Sequence, residues 1–90
     1  MNEKDQYMID AINRMAETYS KYVETIKAET EIKKAKLEER IDKYNEKDHL
    51  TDSQYDRLAE IEDEHSDLED YVYKLENILS ALEDLITAST

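Results

Sequence analysis

The chain of 90 residues contains no cysteine, glycine, proline, tryptophan or phenylalanine. Without cysteine it has no disulfide framework and no thiol chemistry. Strand-rich folds depend on tight turns that draw heavily on glycine and proline, so their absence argues against a β-fold. The residues that remain are rich in Ala, Glu, Lys and Leu, which is the composition of long helices and coiled coils. The sequence therefore predicts an all-α fold in one small domain, residues 1–90.

Long apolar runs are also missing, and none approaches the length of a membrane span. The first five residues are too polar for a signal peptide, so we expect a cytoplasmic protein without membrane contact. The net charge of −12 should repel nucleic acid and anionic membranes. The partner that we expect is therefore a basic protein surface, and we expect no direct binding to nucleic acid.

One interruption divides the apolar pattern, at residues 45–51. Thr51 and Gln54 have the spacing of a capping box, and Leu50 and Tyr55 have that of a hydrophobic staple. Both motifs mark the start of a helix at this point. We predict a first helix over about 4–44, a turn over about 45–51 and a second helix over about 52–87.

Each predicted helix carries an apolar stripe in alternating steps of three and four, which is typical of a coiled coil. In the second helix the stripe consists of Leu58, Ile61, His65, Leu68, Val72, Leu75, Leu79, Leu82 and Ile86. In the first it consists of Met8, Ile12, Met15, Tyr19, Tyr22, Ile26, Thr30, Lys33 or Lys34, Leu37, Ile41 and Tyr44. Folding at the interruption pairs Leu37 with Ile61 and Tyr19 with Leu79 in one register. The sequence thus predicts an antiparallel coiled-coil hairpin.

Towards the ends of the chain both apolar faces become wider than a two-helix contact requires. A monomer could tolerate some of this surface, but a large apolar patch is unusual on a monomer. We therefore expect a homodimer whose open ends form a four-helix bundle. The predicted dimer interface consists of Ile9, Ala16, Val23, Tyr71, Ile78 and Leu85.

Catalytic and metal-binding patterns are sparse. Glu62 and His65 have the Glu-x-x-His spacing of di-iron bundles, but Lys33, Lys34 and Lys36 fall opposite them in the predicted register. We therefore expect no metal, no other cofactor and no enzymatic activity, because a two-helix hairpin lacks a pocket. A polar residue in a coiled-coil seam commonly fixes the register, which is the role we favour for His65 over that of a pH-sensitive latch.

The acidic residues are concentrated in the second half of the chain. Residues 1–48 hold 10 Lys or Arg and 12 Asp or Glu, whereas residues 49–90 hold 2 and 12, so the halves carry −2 and −10. Many of these acids recur at seven-residue intervals and should form a ridge along the second helix. The predicted partner-binding ridge consists of Asp56, Glu60, Glu62, Asp63, Asp67, Glu69, Asp70, Glu76, Glu83 and Asp84.

The size, acidity and helicity of the chain resemble those of the small acidic proteins with which phages block restriction or CRISPR nucleases. This resemblance implies an inhibitor that occupies a basic nucleic-acid-binding cleft, possible targets being nucleases, and it assigns no role to individual residues. Together with Glu64, the ridge acids make 11 acids over residues 56–84, or about one per 3.8 Å, close to the ~3.4 Å between phosphates of one DNA strand. The alternative is a structural or adaptor coiled coil that binds a helical partner through its apolar face, the acids serving solvation.

Overall fold

The computed structural model describes the backbone of residues 2–89 and the side chains of residues 2–86. It contains two α-helices, α1 (Glu3–Asn45) and α2 (Asp52–Ser89), and no strand within the described residues. The two helices contact each other as a helical hairpin, which confirms the predicted fold class. The helix ends lie within two residues of the predicted ones.

Side-chain caps define where both helices begin. Asn2 Oδ1 accepts a hydrogen bond of 2.9 Å from the backbone N–H of Asp5 at the start of α1. Thr51 and Gln54 form the predicted capping box, with reciprocal hydrogen bonds of 2.9 and 3.2 Å. Leu50 is buried, whereas Tyr55 is 57% exposed, so only one half of the predicted staple enters the core. None of the described residues has a positive φ, which explains how the turn forms without glycine.

The contacts of the chain group its residues into two compact units. The loop unit comprises Ala28–Tyr73, and the terminal unit comprises Met1–Lys27 with Lys74–Thr90. Residues 1 and 90 lie outside the described residues, and the prediction of a single domain over 1–90 stays a prediction.

The core of the loop unit agrees with the sequence pattern. Its buried apolar residues are Leu37, Leu50, Leu58, Ile61 and Val72, and Ile61 has no exposed surface. The seam also contains polar residues of the two predicted stripes, of which Thr30 is buried and Lys34 and His65 are half-buried.

The core of the terminal unit corrects the prediction. Ala16, Val23 and Leu75 are buried. Most of the large side chains that we placed in this part of the α1 seam are exposed instead, namely Met8, Ile12, Met15, Tyr19 and Tyr22, whereas Ile26 is half-buried. Because Ala16 and Val23 are buried within the chain, they are not available to a partner as the predicted dimer interface requires, and Ile9 is half-buried.

The prediction for α1 was wrong because of the phase of the heptad, which is the choice of the residues that occupy the positions in contact with α2. The predicted α1 stripe took two consecutive steps of four, from Tyr22 to Ile26 to Thr30, in order to include the largest apolar residues. In the structure one stripe of buried and half-buried positions keeps steps of three and four from end to end, as a regular two-helix contact requires. This stripe consists of Ile9, Asn13, Ala16, Ser20, Val23, Lys27, Thr30, Lys34, Leu37, Ile41 and Tyr44, and Ala11 and Ile26 are half-buried outside it.

Candidate interaction surfaces

The ridge acids on α2 are all exposed to solvent. Three of them already have cationic partners within the chain. Glu60 pairs with Arg57 at 2.9 Å, Glu69 with Lys34 at 3.7 Å, and Glu76 with Lys27 at 3.4 Å. The lysines of the last two pairs are half-buried in the α1 seam, so part of the ridge balances charges that the seam itself contains. Within the described part of the chain, no ion pair of this kind involves the remaining ridge acids, which are Asp56, Glu62, Asp63, Asp67, Asp70, Glu83 and Asp84.

His65 connects acids of the two helices in the loop unit. Its Nε2 lies 2.9 Å from Glu38 Oε1 on α1, and its Nδ1 lies 3.9 Å from Glu69 Oε1 on α2. The hydrogen bond with His65 lowers the pKa of Glu38 below its ordinary value, and the charges of His65 and Lys34 act in the same direction. The contact gives His65 a structural partner across the seam, which is consistent with a residue that fixes register.

Acids of α1 contribute to the same surface, which the sequence reasoning missed. In the terminal unit, Glu24 of α1 and Glu83 of α2 line one groove together with Leu79 and Ile86. In the loop unit, Glu38 meets Glu69 at His65. The missed signal is a seven-residue repeat of exposed acids in α1: Glu17, Glu24, Glu31 and Glu38. The acidic surface therefore has contributions from both helices.

Cations are clustered on another part of the loop unit. A groove of ≈ 540 Å³ has Leu37 and Leu68 among its lining residues and Glu64 on its α2 side. Its α1 side carries Lys33, Lys36 and Arg40. Arg40 also lines a second groove with Lys43, Tyr44 and Lys47, where the Lys47 ammonium lies 5.4 Å from the centre of the Tyr44 ring.

The terminal unit carries an apolar groove of ≈ 170 Å³ between its two helix segments. Its lining residues are Ile12, Met15, Ala16, Tyr19, Leu82 and Leu85. The unit exposes a set of large apolar side chains, which are Tyr7, Met8, Ile12, Met15, Tyr19, Tyr22, Ile78 and Leu85. Ile78 and Leu85, together with Tyr71 in the loop unit, belong to the predicted dimer interface and are 43–46% exposed.

Comparisons with protein-family models, with curated proteins and with solved structures found no match for this chain. Among the described residues, no cluster of three or more His, Asp or Glu side chains is arranged to hold a metal ion. Neither helix, over its described residues, combines the length and apolar character that a membrane span needs. The function must therefore be inferred from the acidic, cationic and apolar surfaces described above.

Proposed function

We propose that the protein is a non-enzymatic interaction module of the cytoplasm that binds a basic, nucleic-acid-binding protein surface in place of nucleic acid. The observation that carries the proposal is the convergence of exposed acids from two helices. Two rows of carboxylates side by side resemble the phosphates of a nucleic acid more closely than one row does, because phosphates also lie in rows separated by a groove.

The seam cations support this arrangement. Lys27, Lys34 and His65 hold individual carboxylates in place through contacts of 2.9–3.7 Å, while most of the ridge acids on α2 remain without such partners. A preorganised acidic surface binds its basic partner with a smaller loss of side-chain entropy. Charge complementarity also raises the rate of encounter with a basic cleft.

The test is a charge reversal of three ridge acids that have no ion pair in the described part of the chain. The variant is Glu62→Lys with Asp63→Lys and Asp70→Lys. The immobilised protein and the variant are each exposed to lysate, and bound proteins are released with salt or with a competing DNA duplex. We expect the unmodified protein to retain a nucleic-acid-binding protein that both salt and DNA release, and the variant to lose it.

A matched control separates a local effect from a change in net charge. Glu39→Lys with Asp42→Lys and Glu46→Lys changes the charge by the same amount at exposed acids of α1 and the turn, outside the ridge. This control should still bind the partner, although with a modest loss from the altered net charge. Equal retention of every captured protein by the ridge variant, or capture that neither salt nor DNA reverses, would contradict the proposal and favour an adaptor that binds through its apolar face.

A further inference from the structure

One groove of the loop unit has opposite charges on its two sides. The cation edge lies on α1 and consists of Lys33, Lys36 and Arg40. On α2 the groove is lined by Glu64. Glu60 and Asp67 precede and follow Glu64 by four and three residues, and the three exposed acids are called the acid edge. Helical periodicity puts each set of three on a single face of its helix. Leu37 and Leu68 lie between the two edges in the lining of the groove.

The terminal unit presents the corresponding heptad positions as apolar side chains. On α1 these are Ile12, Met15 and Tyr19, and on α2 they are Ile78 and Leu85. Each is at least 40% exposed in the single chain, although Ile12, Met15, Tyr19 and Leu85 line one groove. Large contiguous apolar surfaces of this kind are rare on monomers and commonly mark an interface.

We propose that the occupant of this surface is a second copy of the chain, with α1 of each copy lying against α2 of the other. Within each unit, a two-fold axis parallel to its two helix segments produces this pairing, because it places the same surface of each copy against the other. Each cation edge then faces the acid edge of the second copy, twice per dimer. Within the terminal unit, contact between α1 of one copy and α2 of the other covers apolar surface with apolar surface. The acid edge shares Glu60 and Asp67 with the ridge, but the test of the proposed function changes Glu62, Asp63 and Asp70, which lie outside the acid edge. The two proposals can therefore fail separately.

The charges favour a second copy over an unrelated partner. A generally basic partner would suit the acid edge and be repelled by the cation edge, and a generally acidic partner would meet the opposite problem. A second copy related by the two-fold axis presents acids to the cations and cations to the acids. Glu60 also pairs with Arg57 of its own chain at 2.9 Å, so Glu64 and Asp67 are the acids whose partners the dimer would supply.

The experiment reverses each edge separately and then combines the variants. The first variant is Lys33→Glu with Lys36→Glu and Arg40→Glu. The second is Glu60→Lys with Glu64→Lys and Asp67→Lys. We measure the molecular mass by light scattering and sedimentation over a series of protein concentrations, and helicity by circular dichroism. The unmodified protein should be a dimer, and each variant alone should dimerise about 100-fold more weakly because like charges face each other at both edges.

Mixing the two variants in equal amounts provides the decisive measurement. In the mixed dimer, the glutamates of the first variant face the lysines of the second, and the unmodified edges face each other, so both contacts are attractive. We expect the mixture to regain a dimer that contains one copy of each. An unmodified protein that stays monomeric would overturn the proposal and leave the apolar surface to a different helical partner. Helical variants that dimerise alone as well as the unmodified chain, or a mixture that fails to recover, would overturn the α1-to-α2 pairing.

Discussion

The loop unit and the terminal unit bury different kinds of side chain, although both are built from the same two helices. In the loop unit the α1 seam buries Leu37, and across the unit large apolar residues such as Ile61 fill the core. In the terminal unit the α1 seam buries Ala16 and Val23, while larger residues of α1 such as Met15 remain exposed.

The difference shows that the phase of the heptad, rather than the size of the apolar residue, decides what the hairpin buries. A helix that contacts one neighbour along its length keeps a single stripe at the contact. The stripe that contains Leu37 in the loop unit continues to Val23 and Ala16 in the terminal unit. A second stripe, one residue earlier, contains larger side chains such as Met15 and Tyr19, which are exposed.

The largest expected effect is a change in the free energy of unfolding when a side chain is truncated in the loop unit, compared with a truncation in the terminal unit. Ile61→Ala in the loop unit removes a fully buried side chain and should lower the free energy of unfolding by about 2–5 kcal/mol. Met15→Ala in the terminal unit removes a side chain that is 58% exposed and should change it by less than about 1 kcal/mol. Urea denaturation, followed by circular dichroism at a concentration where the chain is monomeric, measures both.

A loss at Met15 as large as that at Ile61 would mean that Met15 is buried in the monomer. The distinction between the two units would then be wrong, and so would the heptad phase in α1.

A smaller effect concerns a polar atom within the terminal unit. Asn13 Oδ1 is buried and finds no hydrogen-bond partner in the part of the chain that the structure describes. An unsatisfied buried acceptor destabilises the folded state, so Asn13→Leu should raise the free energy of unfolding by about 1–2 kcal/mol. Asn77→Leu, the same change at an exposed position of α2, should have no such effect and serves as the control. Destabilisation by Asn13→Leu in the denaturation measurement would show that Asn13 has a partner or that the seam lacks room for leucine.

The smallest effect concerns the hydrogen bond between Glu38 and His65 in the loop unit. Because the folded state lowers the pKa of Glu38 below its ordinary 4.5, the unfolded chain takes up the proton first as the pH falls. The stabilisation is therefore present above about pH 4.5 and is lost as the pH falls through the lowered pKa. Glu69 and Lys34 also lie at this contact and are left unchanged.

Glu38→Gln should accordingly be slightly less stable than the unmodified chain at neutral pH, and the two should converge in acid. Denaturation at a series of pH values measures the difference, and an NMR titration of the Glu38 carboxyl measures its pKa. A pKa at or above the ordinary value would show that the contact with His65 does not persist in solution.

Much of the fold followed from local patterns. The capping box at Thr51 located the start of α2. The regular spacing from Leu58 to Ile86 identified the α2 seam, because in α2 the largest apolar residues occupy the heptad positions that face α1. In the first half of α1 they do not coincide, since Met15 and Ala16 are adjacent and only one of them can face α2. A pattern search that favours large apolar residues selects Met15, whereas the hairpin buries Ala16.

The sequence predicted the acidic residues of α2 that contribute to the acidic surface, but it did not predict the contribution of α1. Counting charges identified the excess on α2, but the net charge near zero over residues 1–48 concealed the acid repeat from Glu17 to Glu38. It also concealed that Arg40 lines one groove with Lys33 and Lys36. The acids and cations of α1 cancel in a count of charges. That they belong to different surfaces becomes evident only when α1 is placed against α2.

The sequence by itself determined that this protein is helical, where its helices begin and end, and that its charge is strongly negative. These properties depend on residue composition, capping and spacing, which act within a few residues of each other. Only the tertiary structure decided which of two adjacent stripes of α1 faces α2, and therefore which apolar side chains remain exposed. The physical reason is that the two stripes differ by one residue along a single helix, and the choice between them depends on the continuous contact with the other helix.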